Sequence, residues 1–180
     1  MVEKEPWQKY IKMVLARKSD TSFMSDIAKG ISIETERYAI PHIFPIMGDT
    51  KAAAVVMRVG AIYARNRRVP ISNEPTQTFG KSLRQLAITV DGRWPNERPT
   101  TIGHRVLLLP SMNFDRAVDA INGLVNWCEK EGIPINLYQL TKLLLHWGNG
   151  LSQNSMAVRN QLVRDFYAGT IEQEHSDAKL

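Results

Sequence analysis

The chain has 180 residues, 43% hydrophobic and 23% charged, with a formal net charge of +5. That composition excludes disorder along most of the length and leaves enough chain for one domain with a real core. A single cysteine excludes an internal disulfide framework, residues 1–12 lack the apolar run of a signal peptide, and no stretch reaches ~18 uninterrupted apolar residues. The expectation is a reduced, cytoplasmic compartment with no membrane partner.

Read in chain order, the periodicity is helical almost throughout. Trp7, Tyr10, Ile11, Val14 and Leu15 fall at i, i+3, i+4, i+7 and i+8 and predict a first helix. Asp20 or Thr21 caps a short second helix that Gly30 can end. Residues 38–48 contain Pro41 and Pro45 and read as an irregular connection, with Ile40, Ile43, Phe44 and Ile46 as core rather than a docking patch. Thr50 caps a long helix to about Asn66, with Ala52, Val55, Val56, Val59, Ile62 and Tyr63 inward. Residues 67–78 are a loop with Pro70 and Pro75. Phe79, Leu83, Leu86 and Ala87 predict a shorter helix.

Residues 91–99 form a turn-rich connection with Gly92, Pro95 and Pro99. If the molecule divides into two helical subdomains, 1–92 and 93–169, the boundary falls here. Residues 101–109 read as a short helix ending before Pro110. Asn113 caps the clearest helix, which carries Phe114, Ala117, Val118, Ile121, Leu124, Val125 and Cys128; Gly132 and Pro134 stop it. Asn136 caps a helix with Leu137, Leu140, Leu144 and Trp147, closed by Gly148. A polar spacer, 149–155, leads to a last helix with Val158, Leu162, Phe166 and Tyr167. Residues 170–180 are a polar tail. The fold expected is an all-α helical bundle, a single domain over 1–169.

The catalytic and metal motifs that the chain suggests do not hold. Gly80-Lys81-Ser82 lacks the glycine a phosphate loop needs five positions earlier; Pro75 stands there, with no N–H to donate. His42, His104, His146 and His175 lie far apart, without metal-ligand spacing. Cys128 sits at a core position with no identifiable base. Glu129 and Glu131, like Glu172 and Glu174, are two apart and point different ways on a helix. No enzymatic activity, catalytic residue, metal or cofactor is expected.

What remains is charge. Residues 1–50 hold seven basic and seven acidic residues, residues 51–110 ten and three, and residues 111–180 six and eight. A localised cationic zone neutralises a polyanion, and a nucleic-acid backbone is the one expected. A solvated Arg-rich surface accounts for the same counts. Lys51, Arg58 and Arg65 are spaced by seven, which aligns them along ~21 Å of one helix flank. Arg67 and Arg68 extend that row into the loop. Lys81 and Arg84 share a helix surface, Arg93 and Arg98 flank the connector, and Arg105 lies on the short helix. The aromatics keep core spacing, so backbone contact with little sequence readout is expected.

These elements resemble a known family. The segment Ile133-Pro134-Ile135-Asn136-Leu137-Tyr138-Gln139-Leu140-Thr141-Lys142-Leu143-Leu144-Leu145-His146-Trp147, then Val158-Arg159 and Arg164-Asp165-Phe166-Tyr167, is similar to the C-terminal signature of CasB. CasB is the small subunit of the type I-E CRISPR surveillance complex, Cascade. Gly80-Lys81-Ser82-Leu83 resembles the family's Gly-x-Ser-Leu stretch, and His104-Arg105-Val106-Leu107-Leu108 its Arg-centred short helix. The order of elements matches from about residue 35 to 168.

The resemblance implies an all-helical, non-enzymatic subunit in antiviral defence, present as a pair and docked on other Cascade subunits. It implies a basic groove holding the displaced non-target DNA strand and supporting the guide RNA–target duplex. Carried over by position, the matching residues are Arg58, Arg65, Lys81, Arg84, Arg105, Lys142, Arg159 and Arg164. The chain departs from the family in residues 148–155, an uncharged stretch where members place several arginines, so residues 51–105 are the stronger expectation. Two other readings stay open: a helical DNA-binding transcription regulator, for which Gln153, Asn154 and Gln161 offer base-reading side chains, and a scaffold subunit with incidental charge.

Overall fold

The computed structural model describes residues 5–92, 95, 100–148 and 152–168. The expectations for Arg93, Arg98, Glu172, Glu174, His175, residues 149–151 and the tail lie outside the described residues. The architecture is all-α, as the periodicity requires. The helices are α1 (Pro6–Ala16), α2 (Thr21–Ala28), α3 (Ile40–Met47), α4 (Lys51–Arg65), α5 (Phe79–Asp91), α6 (Thr101–Leu108), α7 (Phe114–Glu131), α8 (Leu137–Leu145) and α9 (Gln153–Tyr167). Among the described residues, extended backbone pairs only in an isolated parallel bridge between Ile71 and Ile135.

The bundle is organised around α4. Val56, Val59, Ile62 and Tyr63 on that helix are buried, and they meet α1, α2 and α3 on one side and α7 and α8 on the other. A second group forms around α5, whose Leu83, Leu86 and Ala87 pack toward α6, α7 and α9. One continuous core runs through both groups, from Trp7 to Phe166.

Side-chain caps set most helix starts. Asp20 accepts from the Phe23 N–H at 3.0 Å, Thr50 from Ala53 at 3.0 Å, Asn113 from Arg116 at 3.0 Å, and Asn136 from Tyr138 and Gln139 at 3.0 and 3.1 Å. Each satisfies a backbone donor that has no partner inside its own helix. Gly132 closes α7 in the left-handed conformation, at φ 69°.

Four local expectations are corrected. Residues 38–48 are not an irregular connection: α3 forms there, because the missing N–H of Pro41 falls in the first turn, where no intrahelical acceptor exists. Pro45 does sit inside α3, and burial of Ile43 against the core holds the helix despite it. Gly30 does not terminate α2, which passes into a 3₁₀ turn, Lys29–Ile31; Gly30 is buried against Met57 and Ala39 instead. Trp147 lies beyond the end of α8, and its ring is wholly buried. Finally, α9 begins at Gln153 under a Ser152 cap, so Ser155 belongs to its first turn and not to the spacer.

Candidate nucleic-acid interface

The eleven basic residues singled out in the sequence do not form one row. Arg58 and Arg159 are buried, at 7% and 2% exposure, and both are spent on structure. Arg58 donates to the Gly30 carbonyl at 2.6 Å and to Glu36 Oε2 at 2.8 Å, which ties α4 to the turn after α2. Arg159 donates to the carbonyls of Trp147, Pro110, Met112 and Gly148, each at 2.9 Å, with its guanidinium carbon 4.8 Å from the centre of the Trp147 ring. It clamps α9 to two connecting segments, the one before α7 and the one after α8. Desolvation pulls its pKa down, but arginine starts so high that it stays charged.

Of the others, Lys142 lines a groove and Lys81, Arg84 and Arg164 adjoin or bond residues that line it; the groove forms where the start of α5 meets α8 and α9. Its volume is about 240 Å³. Lys142, on α8, lines it directly and is exposed. Lys81 follows Gly80, whose backbone is part of the wall. Arg84 reaches across from α5 to α9 and donates to the Asp165 carbonyl at 3.3 Å. Arg164 bonds the Gln161 side chain at 3.3 Å, and Gln161 lines the groove.

Gly80 explains why α5 and α9 come so close. A β-carbon at that position would stand 2.4 Å from the Leu162 carbonyl oxygen and 2.7 Å from the Asp165 β-carbon. The glycine that suggested a phosphate loop is there to let two helices touch.

Arg65, Arg67 and Arg68 form a second exposed group at the end of α4. The Arg68 backbone N–H donates to Glu129 Oε1 on α7 at 2.8 Å. Beside it, Asn66 bonds Asn122 at 3.0 Å and Asn126 at 3.1 Å.

A strap over residues 66–78 joins the two groups. It is pinned along the approach to α8 by Ser72 N–H to Ile135 O (2.8 Å), Asn136 to Glu74 O (2.9 Å) and Gln139 to Pro75 O (2.8 Å). The Arg65–Arg68 group and the groove thus stand at opposite ends of one anchored segment.

Arg105 and Lys51 stand apart. Arg105 lies 5.7 Å from the Trp127 ring of α7. Trp127 and Glu129 are ~200° apart around that helix, so Arg105 and Arg68 sit on different flanks. Lys51 opens α4 and Arg65 ends it.

Ion pairing is confined to the early part of the chain, where Arg17, Lys29 and Arg58 are paired and Lys9, Lys12, Lys18, Arg37 and Lys51 are not. Among the described residues, the Lys and Arg ion pairs are Arg17–Asp20, Lys29–Asp26 and Arg58–Glu36, and His42 Nε2 lies 3.3 Å from Asp26 Oδ2. All lie in the charge-balanced part of the chain or reach back into it. No described carboxylate comes within 4.0 Å of the side-chain cation of Arg65, Arg67, Arg68, Lys81, Arg84 or Lys142.

Sequence reasoning missed the groove because its walls come from three separate stretches, near residues 78–80, 139–146 and 158–165. Gln139, His146, Gln161 and Asp165 fell on helix faces with no apolar or basic pattern to mark them. Burial pushes the Cys128 thiol up to about 12, and among the described residues no group of three His, Cys, Asp or Glu side chains is placed to hold a metal. No helix among them is long and apolar enough to cross a membrane.

The same all-α fold occurs in a solved structure. The crystal structure of M. ruber CasB superposes with a TM-score of 0.70, covering 96% of this chain and 98% of that one at 17% identity. A search of curated proteins finds no match. The model of the CRISPR-associated protein Cse2 family matches residues 28–167. The chain therefore belongs to the Cse2 family, also called CasB, the small subunit of the type I-E CRISPR complex Cascade.

Proposed function

We propose that this chain is a non-catalytic Cascade subunit that holds a nucleic-acid backbone without reading its sequence. The contacts are Lys81, Arg84, Lys142 and Arg164 around the groove, with Arg65, Arg67 and Arg68 at the other end of the strap. The strand held is the displaced DNA strand, with support to the guide RNA–target duplex.

The observation that carries the reading is the partition of ion pairs. A cation already facing a carboxylate gains little from a phosphate, whereas an unpaired one releases condensed counterions from the strand when it binds. After residue 60 no described lysine or arginine has a described carboxylate within 4.0 Å of its side-chain cation, the seven contacts named here included, while Arg17, Lys29 and Arg58 before it are paired. The exchange of a DNA duplex for an RNA–DNA duplex is nearly balanced in free energy, so backbone contacts of this kind decide how far it proceeds. Arg58 and Arg159 are not part of the proposed surface, since their donors are already occupied.

The experiment is reconstitution with a guide-RNA complex on a matching target. The chain co-purifies with the complex, and Lys81→Glu with Lys142→Glu leaves co-purification intact. The same pair raises the permanganate reactivity of displaced-strand thymines. Equal reactivity with wild-type and variant chain overturns the backbone-holding role. Strong preference of the free chain for one duplex sequence points to a transcription regulator instead.

A further inference from the structure

The groove between α5, α8 and α9 has a floor that phosphate binding does not require. Phe79, Leu143 and Leu162 line it, with Val158 on the α9 side. At about 240 Å³ it is smaller than the ~300–1,000 Å³ of most small-molecule sites. Its rim is polar and mostly accepting. Gln139 spends its Nε2 on Pro75 O at 2.8 Å, which leaves its Oε1 open. Asp165 accepts from Gln161 at 2.9 Å through Oδ1 alone. Lys142 stands at the mouth, with no described carboxylate within 4.0 Å of its ammonium.

We infer that this groove takes one unstacked nucleobase from the strand whose phosphates rest on the surrounding cations. This rests on the backbone-holding reading above and names what that site does with the bases. A base has an apolar face to lie against the half-buried Leu143 and Val158, over the edges of Phe79 and Leu162, and an edge of donors for Gln139 and Asp165. Its own 5′ phosphate falls outside the groove, within reach of Lys142. An apolar protein side chain fits the same floor less well, because it strips water from Asp165 and Gln139 and returns no donor. A lone phosphate makes no use of the apolar floor. The contact is apolar packing of one base face plus hydrogen bonds to an amine-bearing edge, so it favours a base over no base without imposing a long sequence.

The test compares two strands of equal length and charge on the full chain at low salt. One is an oligodeoxycytidylate, and the other has the same backbone with tetrahydrofuran abasic units. Apolar burial of one base face contributes about 1–2 kcal/mol, so the wild-type chain holds the cytidylate ~5- to 30-fold more tightly. Val158→Phe fills the groove from its α9 wall, brings the ratio to about one, and leaves abasic affinity unchanged. The wild-type comparison stands even if that variant folds poorly. Equal wild-type affinity for both strands, each falling steeply with salt, overturns the base pocket and leaves the backbone reading standing. Failure to bind either strand overturns both. A ratio that survives Val158→Phe, in a variant that melts like wild type, places the base elsewhere and overturns the assignment.

Discussion

Replacing Arg159 with methionine keeps the length and apolar stem of the side chain and removes its five donors. Four carbonyls then lose a partner, but not equally. The Trp147 carbonyl keeps the hydroxyl of Ser155, and the Met112 carbonyl keeps the Trp147 indole N–H at 3.2 Å. Gly148 is exposed, so water can replace the guanidinium there. Pro110 is buried and loses its bond outright. One orphaned buried acceptor costs about 1–3 kcal/mol. The lost charge-assisted bonds to the other carbonyls and the cation over Trp147 bring the total to about 3–5 kcal/mol. In a domain of this size that lowers the melting temperature by about 10 °C. Denaturant titration followed by circular dichroism, with a parallel thermal melt, measures it. A variant within about 1 kcal/mol of wild type, or one that loses DNA retention with its melt unchanged, refutes the assignment of Arg159 as an internal clamp.

Other substitutions probe the packing and the titrating groups. Gly80→Ala places a methyl against the Leu162 backbone, and a denaturant titration records a loss of about 1–3 kcal/mol as α5 and α9 separate. A loss near zero means the two helices are not in register as described. Cys128, with its thiol pushed up to about 12 by burial, stays unalkylated by iodoacetamide in the native chain at pH 8 and reacts once guanidinium unfolds it. Full native labelling contradicts the burial. Asp20 is held below its ordinary value of 3.8, first by the Phe23 N–H and then by Arg17. A carboxyl lowered in the folded state stabilises it above the ordinary pKa and ceases to do so as pH falls through the folded value. Asp20→Asn keeps the cap but cannot titrate, so its stability falls less on acidification below pH 3.8. Matching acid profiles remove Asp20 from that account.

Helix starts were legible because the signal is local. Asp20, Thr50, Asn113 and Asn136 each cap the helix that follows them, through a bond spanning three residues or fewer. Helix α3 was not, because the two prolines argue against a helix by composition while the position of Pro41 permits one. The fate of the basic residues was the least legible. Arg58 and Arg65 are seven apart on one helix and look alike in the sequence. One meets Gly30 and Glu36 from a distant turn and is buried; the other ends the helix in solvent. Arg159 likewise reads as a surface cation until Pro110, Met112 and Trp147 are placed around it. Spacing places a side chain on a face, whereas only the fold decides what lies across from it. The groove belongs to the same class, since three distant stretches build it and none marks itself.

The central claim is that unpaired cations on this helical body rest against phosphates. The salt dependence of single-strand affinity tests it most directly. With the seven proposed cations each engaging one phosphate, the logarithm of the binding constant falls with log salt at a slope near about −4.9, a loss of ~900-fold between 50 and 200 mM. Removing Lys142 and Arg67 by alanine substitution brings the slope to about −3.5, and removing Lys29, already paired with Asp26, leaves it at about −4.9. A slope near zero for wild type, or one that the Lys142 and Arg67 substitutions do not change, contradicts the account.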